Sequence, residues 1–291
     1  MMDKLYQSVQ EKGPICIGLD TSVDYLPETI IRRFDSVEDR LYAFNQAIID
    51  STKDVAAAFK VQIAYYEAQG LQGLKAYKRT LDYIKTNRIP VIADVKRGDI
   101  SKTAQMYAKA HFSGDFEVDM ITVNMYMGSD TLEPYEEYFK SGKGIFVLLK
   151  TSNPGSGDIQ NMITQSNEYV YQRIIEILEK KGKPFLGTSG YSSIGAVVGC
   201  THVEDGIAIR KKMPNTFFLV PGYGAQGGTA RDVSNYLLKR NGGVINSSRG
   251  IILAYKKEKW NHLQFDEAAR EAVLEMKNAI LAELNQMKEG D

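Results

Sequence analysis

Short apolar runs alternate with longer amphipathic segments along almost the whole chain, and this alternation strongly restricts the possible folds. Such runs are typical of buried parallel strands, which are covered on both faces. They are ICIGL (15–19), VAAAFKV (55–61), IPVIADV (89–95), DMITVN (119–124), GIFVLLK (144–150), GAVVG (195–199), TFFLV (216–220) and GGVINSS (242–248). Segments with helical periodicity separate them, for example 37–52, 67–85, 102–111, 167–181 and 231–240, and a last helix is predicted at about 265–288.

Eight strands alternating with helices predict a single (β/α)8 TIM barrel, which we expect to form one catalytic domain over residues 1–291. The structural alternative is an open doubly wound sheet, which usually has fewer strands and often a glycine-rich turn after the first one. Here the first strand ends in GLDTSVDYLP, without such a turn. The chain also lacks a linker, a low-complexity tract or a domain-scale repeat that would divide it.

Composition limits the partners and the location that we expect. The 36 Lys and Arg residues balance 36 Asp and Glu residues, and this argues against a nucleic-acid partner, which usually requires a basic excess. No apolar stretch approaches the ~18–20 residues of a membrane span, and the first residues lack a signal-peptide core. Cys16 and Cys200 lie in apolar runs, as is typical of buried thiols in a reducing compartment. We therefore expect a cytoplasmic protein that binds neither nucleic acid nor membrane.

Charged residues follow the apolar runs at the predicted carboxyl ends of the strands, where TIM barrels place their chemistry. Residues two apart along an extended strand face the same side, so Asp94 and Lys96 are expected to point together into the barrel mouth. Lys60, in the FKVQ segment of the preceding strand, would reach the same space. Asp99 lies just past the strand end, after the turn that a glycine permits. Two lysines and two carboxylates are thus predicted within a few ångströms of one another.

An array of alternating charges keeps each group ionised, because each has an opposite neighbour. It also presents a carboxylate that would repel a substrate carboxylate, and an ammonium group that would protonate a carbanion. These features suit a decarboxylation that needs neither a metal nor an organic cofactor. Two other interpretations remain open, a structural salt-bridge network and a Mg²⁺ site built from the carboxylates. The two lysines argue against the Mg²⁺ site because they compete for the same oxygens.

The segment PGYGAQGG after the seventh strand is predicted to bind an anion. It carries four glycines in eight residues, which lets backbone N–H groups approach a ligand closely. The eighth strand then supplies Ser248 and Arg249, and an arginine can contact phosphate through two hydrogen bonds. The loops after strands seven and eight are where TIM barrels often bind phosphate. The alternative is a glycine-rich turn beside a surface arginine.

Two further segments are long and polar. KTSNPGSGDIQ (150–160) follows the fifth strand and is either a surface loop or a mobile lid that carries a side chain to the substrate ring. GKPFLGTSGYSS (182–193) precedes the sixth strand, and the sequence suggests no role for it beyond bulk or bracing the lid.

Together these motifs resemble the orotidine 5′-phosphate decarboxylase family over about residues 16–254. The segments that carry the resemblance are GLD, FKVQ, ADVKRGDISKTA, TVNMYMG, TSNPG, VVGCTHVED, VPGYGAQGG and NSSRGI. The length and the insertions resemble the longer bacterial subgroup of that family. Met125 stands where the family pattern has proline, which affects only the expected local backbone geometry.

The resemblance implies conversion of orotidine 5′-monophosphate to UMP and CO2, the last step of de novo pyrimidine nucleotide biosynthesis, without a cofactor or a metal. Lys60, Asp94, Lys96 and Asp99 match the charged catalytic tetrad of the family. It also implies a homodimer with shared active sites. Asp99 would act in the partner's site, with Thr103 beside it at the ribose.

The resemblance implies substrate-binding roles for other residues as well. Asp20, together with Lys60, matches contacts to the ribose hydroxyls, and Ser152 matches the serine at the pyrimidine edge. Gln226 and Arg249 match the contacts to phosphate. Two rival functions are a Mg²⁺-dependent phosphosugar aldolase on the same barrel, similar to hexulose-phosphate synthase, and a catalytically silent nucleotide-binding barrel. Sensitivity to EDTA would identify the first, and the complete tetrad argues against the second.

Overall fold

The computed structural model describes residues 1–237 and 241–289. Its strands form a closed barrel in which each strand pairs in parallel with the next and the last pairs with the first. The strands are β1 Ile15–Gly18, β2 Ala58–Gln62, β3 Val91–Arg97, β4 Met120–Val123, β5 Gly144–Lys150, β6 Ile194–Val198, β7 Phe218–Val220 and β8 Gly243–Ser247. The predicted (β/α)8 barrel is confirmed.

One helix precedes the first strand, and the others follow the strands around the barrel. They are α1 Met2–Lys12, α2 Glu28–Arg33, α3 Val37–Thr52, α4 Ile63–Glu67, α5 Gly70–Thr86, α6 Ser101–Phe112, α7 Glu133–Glu136, α8 Gly157–Gln160, α9 Val170–Gly182, α10 Val203–Lys212, α11 Ala230–Ser234, α12 Arg249–Ile252 and α13 Phe265–Glu289. The predicted helix at 67–85 is present as α5, and the short helix α4 precedes it. The one predicted at 231–240 is present as α11, and residues 238–240 lie outside the described residues. None of the described helices is long and apolar enough to cross a membrane.

The amphipathic pattern of the chain decides which helix faces lie against the strands. In α3, the hydroxyl of Ser36 caps the N-terminus by accepting the N–H of Asp39 at 3.0 Å. Leu41, Phe44 and Ile48 follow at spacings of three and four residues and are fully buried on one face. Such faces cover the outward side chains of the strands in one continuous apolar core.

The interior of the barrel holds a second apolar core near the amino ends of the strands. Cys16, Ile92 and Phe146 belong to it, and Leu5 and Val9 of α1 pack against the same cluster. Helix α1 therefore closes this end of the barrel. The polar side chains of the barrel interior gather at the opposite, open end.

The insertion at 182–193 lies at the closed end, because it directly precedes β6. The backbone N–H of Ser189 donates to the Asp3 carboxylate of α1 at 2.8 Å. The ring of Tyr191 packs edge-on against Phe217, with 5.3 Å between the ring centroids. The segment thus braces α1 and the barrel floor, at the end opposite to the predicted lid.

Candidate active site

A cavity of about 310 Å³ opens at the carboxyl ends of the strands. Most of the side chains predicted from the sequence line it, namely Asp20, Lys60, Asp94, Lys96, Ser152, Gln226 and Arg249. Within the described part of the chain, the lining includes neither Asp99 nor Thr103. The structure thus brings together three members of the predicted tetrad and leaves the fourth outside.

Asp94 is the centre of the charged group. Its Oδ1 lies 2.7 Å from Lys96 Nζ and accepts the hydroxyl of Thr122 at 2.8 Å. Its Oδ2 accepts from Lys60 Nζ at 3.1 Å and from Gln62 Nε2 at 2.9 Å. Only 7% of Asp94 is exposed, so these four donors take the place of water around the carboxylate.

The charges alternate along the cavity wall from Asp20 to Lys96. Lys60 Nζ lies between the carboxylates of Asp20, at 3.0 Å, and Asp94, at 3.1 Å. Burial acts to lower the pKa of Lys60, but the two carboxylates outweigh it and raise this pKa. Burial likewise acts to raise the pKa of Asp94, but Lys60 and Lys96 hold it well below its usual range. Lys60 and Asp94 therefore both remain charged at neutral pH.

The second carboxylate of the row is Asp20, not Asp99. Asp99 follows β3, and its carboxylate accepts the N–H of Ile100 at 2.8 Å. The glycine before it is needed for close packing: a Cβ at Gly98 would lie 2.4 Å from the backbone oxygen of Asn124. Thr103 is an exposed residue in the first turn of α6. Asp99 and Thr103 therefore lie outside the cavity of their own chain, and their expected role in a partner's site stays a prediction.

Lys96 reaches Asp94 through an irregular backbone rather than a regular strand. The register between β3 and β4 shifts between Ala93 and Arg97, and Lys96 has a φ of +42°. The left-handed region costs a non-glycine residue roughly 1–2 kcal/mol. Thr122 Oγ1 supports this bend by accepting the N–H groups of Val95, at 3.0 Å, and Lys96, at 2.9 Å.

The loop at 221–228 and the start of α12 form the other end of the cavity. Gly222 has a φ of +107°, so a side chain there would be strained. Gln226 and Arg249 both line the cavity from this side. On β1, a Cβ at Gly18 would lie 1.8 Å from Ser248 Oγ, which explains why glycine precedes the LD of the first motif.

The segment at 150–160 is folded rather than irregular, since it contains a 3₁₀ turn, Pro154–Ser156, and helix α8. Gln160 bridges back to its start, where its Oε1 accepts the N–H of Thr151 at 3.1 Å. Ser152 packs against Gly199 so closely that a Cβ there would lie 2.7 Å from the Ser152 Cβ. Lys150 ends β5, and a register shift between Leu148 and Lys150 directs its side chain out of the barrel, toward Asp205.

Several lining or contacting residues were not identified from the sequence. Gln62 and Thr122 both donate to Asp94. Asn246 of β8 lines the cavity, as do apolar side chains of β5, β6 and β7, which are Leu148, Val197 and Leu219. Alternation along the strands could have located Gln62, which lies two residues after Lys60. Thr122 carried no comparable signal, because it lies inside an apolar run.

Comparisons with known proteins point to one family. The sequence model of the Orotidine 5'-phosphate decarboxylase / HUMPS family matches residues 13–261. A relative from Clostridium acetobutylicum named orotidine 5'-phosphate decarboxylase is 57% identical over 281 residues, which are 96% of this chain and 98% of the relative. One of the same name from Clostridium kluyveri is 53% identical over 282 residues, 97% of each protein.

Solved structures are similar as well. The Leishmania donovani OMP decarboxylase superposes with a TM-score of 0.75 and 30% sequence identity, over 96% of this chain and 98% of that one. The family match at 13–261 includes every strand of the barrel and the residues predicted to form the site. This chain therefore belongs to the Orotidine 5'-phosphate decarboxylase / HUMPS family.

Proposed function

We propose that this chain decarboxylates orotidine 5′-monophosphate to UMP and CO2, the last step of de novo pyrimidine nucleotide biosynthesis. The observation that carries the proposal is the row of alternating charges from Asp20 to Lys96 at one end of a cavity whose other end is a glycine-rich loop. The first end suits a reacting carboxylate and the second suits a phosphate. The relatives named orotidine 5'-phosphate decarboxylase, at up to 57% identity, support the same activity.

Binding begins with the parts of the nucleotide that do not react. Gln226 and Arg249 hold the phosphate, and Asp20 with Lys60 holds the ribose hydroxyls. Ser152, on the opposite wall, contacts the pyrimidine edge. Binding energy from these distant groups can be used at the reacting carbon, because it holds the substrate carboxylate against Asp94.

In the chemical step, the bond between C6 and the substrate carboxylate breaks and its electron pair remains on C6. Asp94 disfavours the bound carboxylate, because both are negative and Asp94 is held ionised by Lys60 and Lys96. The ammonium group of Lys96 stabilises the developing carbanion and then donates a proton to C6, while CO2 leaves. The charges are in place before the reaction, so little rearrangement is needed in the transition state.

We further propose that the site is completed in a homodimer by Asp99 and Thr103 of a second copy. Both residues belong to the segment after β3 and lie outside the cavity of their own chain. Large apolar side chains are exposed nearby in the chain, since Met106 of α6 is 57% exposed and Tyr126, just after β4, is 79% exposed. Apolar side chains beside a displaced catalytic carboxylate fit a two-fold interface, in which each subunit supplies the same residues to the other.

The proposed reaction needs no metal or organic cofactor, and this separates it from the rival phosphosugar aldolase. Both oxygens of Asp94 already accept hydrogen bonds from ammonium groups. In the described ranges, no three His, Cys, Asp or Glu side chains lie close enough together to hold a metal ion. The family description includes HUMPS, but the relatives compared above are named orotidine 5'-phosphate decarboxylase.

We propose that the protein acts in the cytoplasm as one catalytic domain, without a nucleic-acid or membrane partner. The zero formal net charge and the two buried free cysteines support this assignment.

A spectrophotometric assay tests the activity. Purified protein is incubated with orotidine 5′-monophosphate, with and without EDTA, and the loss of substrate absorbance is followed together with the appearance of UMP. We expect equal turnover in both samples. Turnover that disappears with EDTA and returns with Mg²⁺ would favour metal-dependent chemistry, and an inactive protein that still binds UMP would favour the silent barrel.

A further inference from the structure

Lys150 is a buried lysine that the proposed mechanism does not use. It is the last residue of β5, and its exposed fraction is 0%. Its ammonium group lies 3.2 Å from Asp205 Oδ2 and donates to Asn161 Oδ1. It also lies 4.8 Å from the centroid of the Tyr171 ring, whose hydroxyl donates to the same Asp205. An unpaired buried ammonium group would destabilise the fold, so Lys150 has to keep these partners.

The partners of Lys150 surround the base of residues 151–160, which are the part of the predicted lid that follows Lys150 and are called the lid segment below. Lys150 precedes the segment and Asn161 follows it, so their hydrogen bond joins its two ends. Thr151 and Gln160 add an inner pair, with Gln160 Nε2 donating to Thr151 Oγ1 at 2.9 Å. Asp205 lies in the first turn of α10, and its contact connects this base to the frame of the barrel.

The same base holds the backbone on both sides of Ser152. The carbonyl of Lys150 accepts the N–H of Gly199 at 2.7 Å. The carbonyl of Ser152 accepts the hydroxyl of Thr201 at 3.1 Å. Lys150 and Ser152 thus belong to one short stretch of backbone, only two residues apart, that is attached to the neighbouring strand end.

We propose that Lys150 is a positioning residue that closes the base of the lid segment and holds Ser152 against the pyrimidine edge. This inference rests on the proposed function, in which Ser152 contacts the base of the nucleotide. Lys150 itself touches no substrate, so it acts only on the pyrimidine end of the site. Phosphate and ribose are held by groups on other strands.

Binding of UMP compared with ribose 5-phosphate separates this role from a general effect on the fold. Ribose 5-phosphate keeps the phosphate and the ribose but lacks the pyrimidine. We expect Lys150→Met to weaken UMP binding by about tenfold and to change ribose 5-phosphate binding by less than about twofold, because one ring-specific contact is lost. Equal losses for both ligands, or no loss for either, would overturn the proposal.

Lys143→Met is the matched control, because Lys143 lies just before the other end of the same strand. It is also largely buried, with a side chain that is 12% exposed and paired with Glu117 at 2.7 Å. We expect its substitution to lower the melting temperature while leaving both affinities unchanged. A selective loss of UMP binding in this variant would also contradict the proposal, since a distant buried lysine would then have the same effect.

A second variant covers the case in which Lys150→Met does not fold. Asn161→Ala removes the contact between the two loop ends, and Asn161 is exposed, so the ion pair of Lys150 with Asp205 can remain. It should show the same selective loss of UMP binding. A folded Asn161→Ala protein that binds both ligands like the wild type would overturn the proposed closure.

A double-mutant cycle with Ser152→Ala tests whether Lys150 acts through Ser152. If it does, Lys150→Met, or Asn161→Ala in its place, should add little to the loss already caused by Ser152→Ala. Fully additive losses would overturn the proposed path. Failure of the proposed function is a separate result, in which the wild-type protein does not decarboxylate orotidine 5′-monophosphate. Failure of the inference leaves that turnover intact.

Discussion

The hydroxyl of Thr122 donates to the Asp94 carboxylate at 2.8 Å from the neighbouring strand. The same oxygen accepts the N–H of Lys96 at 2.9 Å, at the residue with a φ of +42°. One side chain of β4 therefore orients the carboxylate and also stabilises the backbone bend that carries the ammonium group.

We predict that Thr122→Val lowers kcat by about 10–100-fold, because the variant keeps the shape of the side chain but loses the hydrogen bonds to Asp94 and to the bend. The measurement is steady-state decarboxylation together with thermal unfolding. Thr131→Val is the control, since Thr131 is buried and its hydroxyl donates to the carbonyl of Gly128 at 2.6 Å, outside the cavity. A kcat that falls equally in both variants would show that the effect is one of general stability.

We predict that Lys96→Ala abolishes turnover, lowering kcat by at least roughly 10³-fold, while UMP binding remains largely intact. The reason is that the ammonium group 2.7 Å from Asp94 is the proposed proton donor, whereas the nucleotide is held mainly at its phosphate and ribose. Single-turnover assays and UMP titration measure the two effects. Lys109→Ala, an exposed lysine of α6, is the control. Near-normal turnover of Lys96→Ala would exclude Lys96 as the proton donor.

The strands show how much of this site follows from the sequence. Lys60 and Asp94 were predicted correctly to line the cavity, because both lie on buried parallel strands whose ends meet at one rim. Thr122 was missed, because a threonine within an apolar run carries no sign that a neighbouring strand will bend toward it. Alternation from Leu148 would direct Lys150 into the barrel, and the register shift after Leu148 reverses this direction. Such a shift depends on pairing between strands and is not encoded in one segment.

Arg249→Ala and Gln226→Ala are each predicted to weaken nucleotide binding much more than nucleoside binding. Loss of a charge-assisted phosphate contact should cost about 1.5–3 kcal/mol. Isothermal titration with UMP and with uridine measures the difference. Arg231→Ala, an exposed arginine at the start of α11, should change neither affinity. Equal losses for nucleotide and nucleoside would show that Arg249 and Gln226 do not hold the phosphate.

His111 is predicted to make the folded protein less stable in mild acid. Burial and the nearby Arg97 lower the pKa of His111 from 6.5 to about 4, and Arg97 Nε donates to His111 Nε2 at 3.3 Å. The unfolded chain binds a proton at this histidine below about pH 6.5 and the folded chain does not. Its contribution to stability is therefore present above pH 6.5 and is lost as the pH falls toward 4.

The measurement is urea unfolding of the wild type and of His111→Gln at pH 7 and pH 5. Glutamine keeps an acceptor for Arg97 but does not titrate. Between pH 7 and pH 5, we expect the free energy of unfolding to fall by about 2 kcal/mol more in the wild type than in the variant, because one pKa unit corresponds to about 1.4 kcal/mol. Equal losses would mean that His111 titrates normally in the folded protein.

The proposed role of Asp99 requires a second copy of the chain, because Asp99 lies outside the cavity of its own chain. If Asp99 acts in the partner's site while Lys60 acts in its own, two inactive proteins should restore each other. We therefore predict recovery of activity when Asp99→Ala and Lys60→Ala proteins exchange subunits. In a mixed dimer, one site carries both substitutions and the other carries neither. Random exchange should then give about one quarter of wild-type activity, since half of the dimers are mixed and each has one intact site.

A mixture of Lys60→Ala with Lys96→Ala is the matched control for this experiment. Both of these side chains line the cavity of their own chain, so exchange cannot produce an intact site and the mixture should stay inactive. Native mass spectrometry verifies that subunits have exchanged. If the Asp99→Ala and Lys60→Ala mixture exchanges but remains inactive, Asp99 serves its own chain. That residue would then have to reach the cavity by movement of the segment after β3, and the apolar surface around Tyr126 would need another explanation.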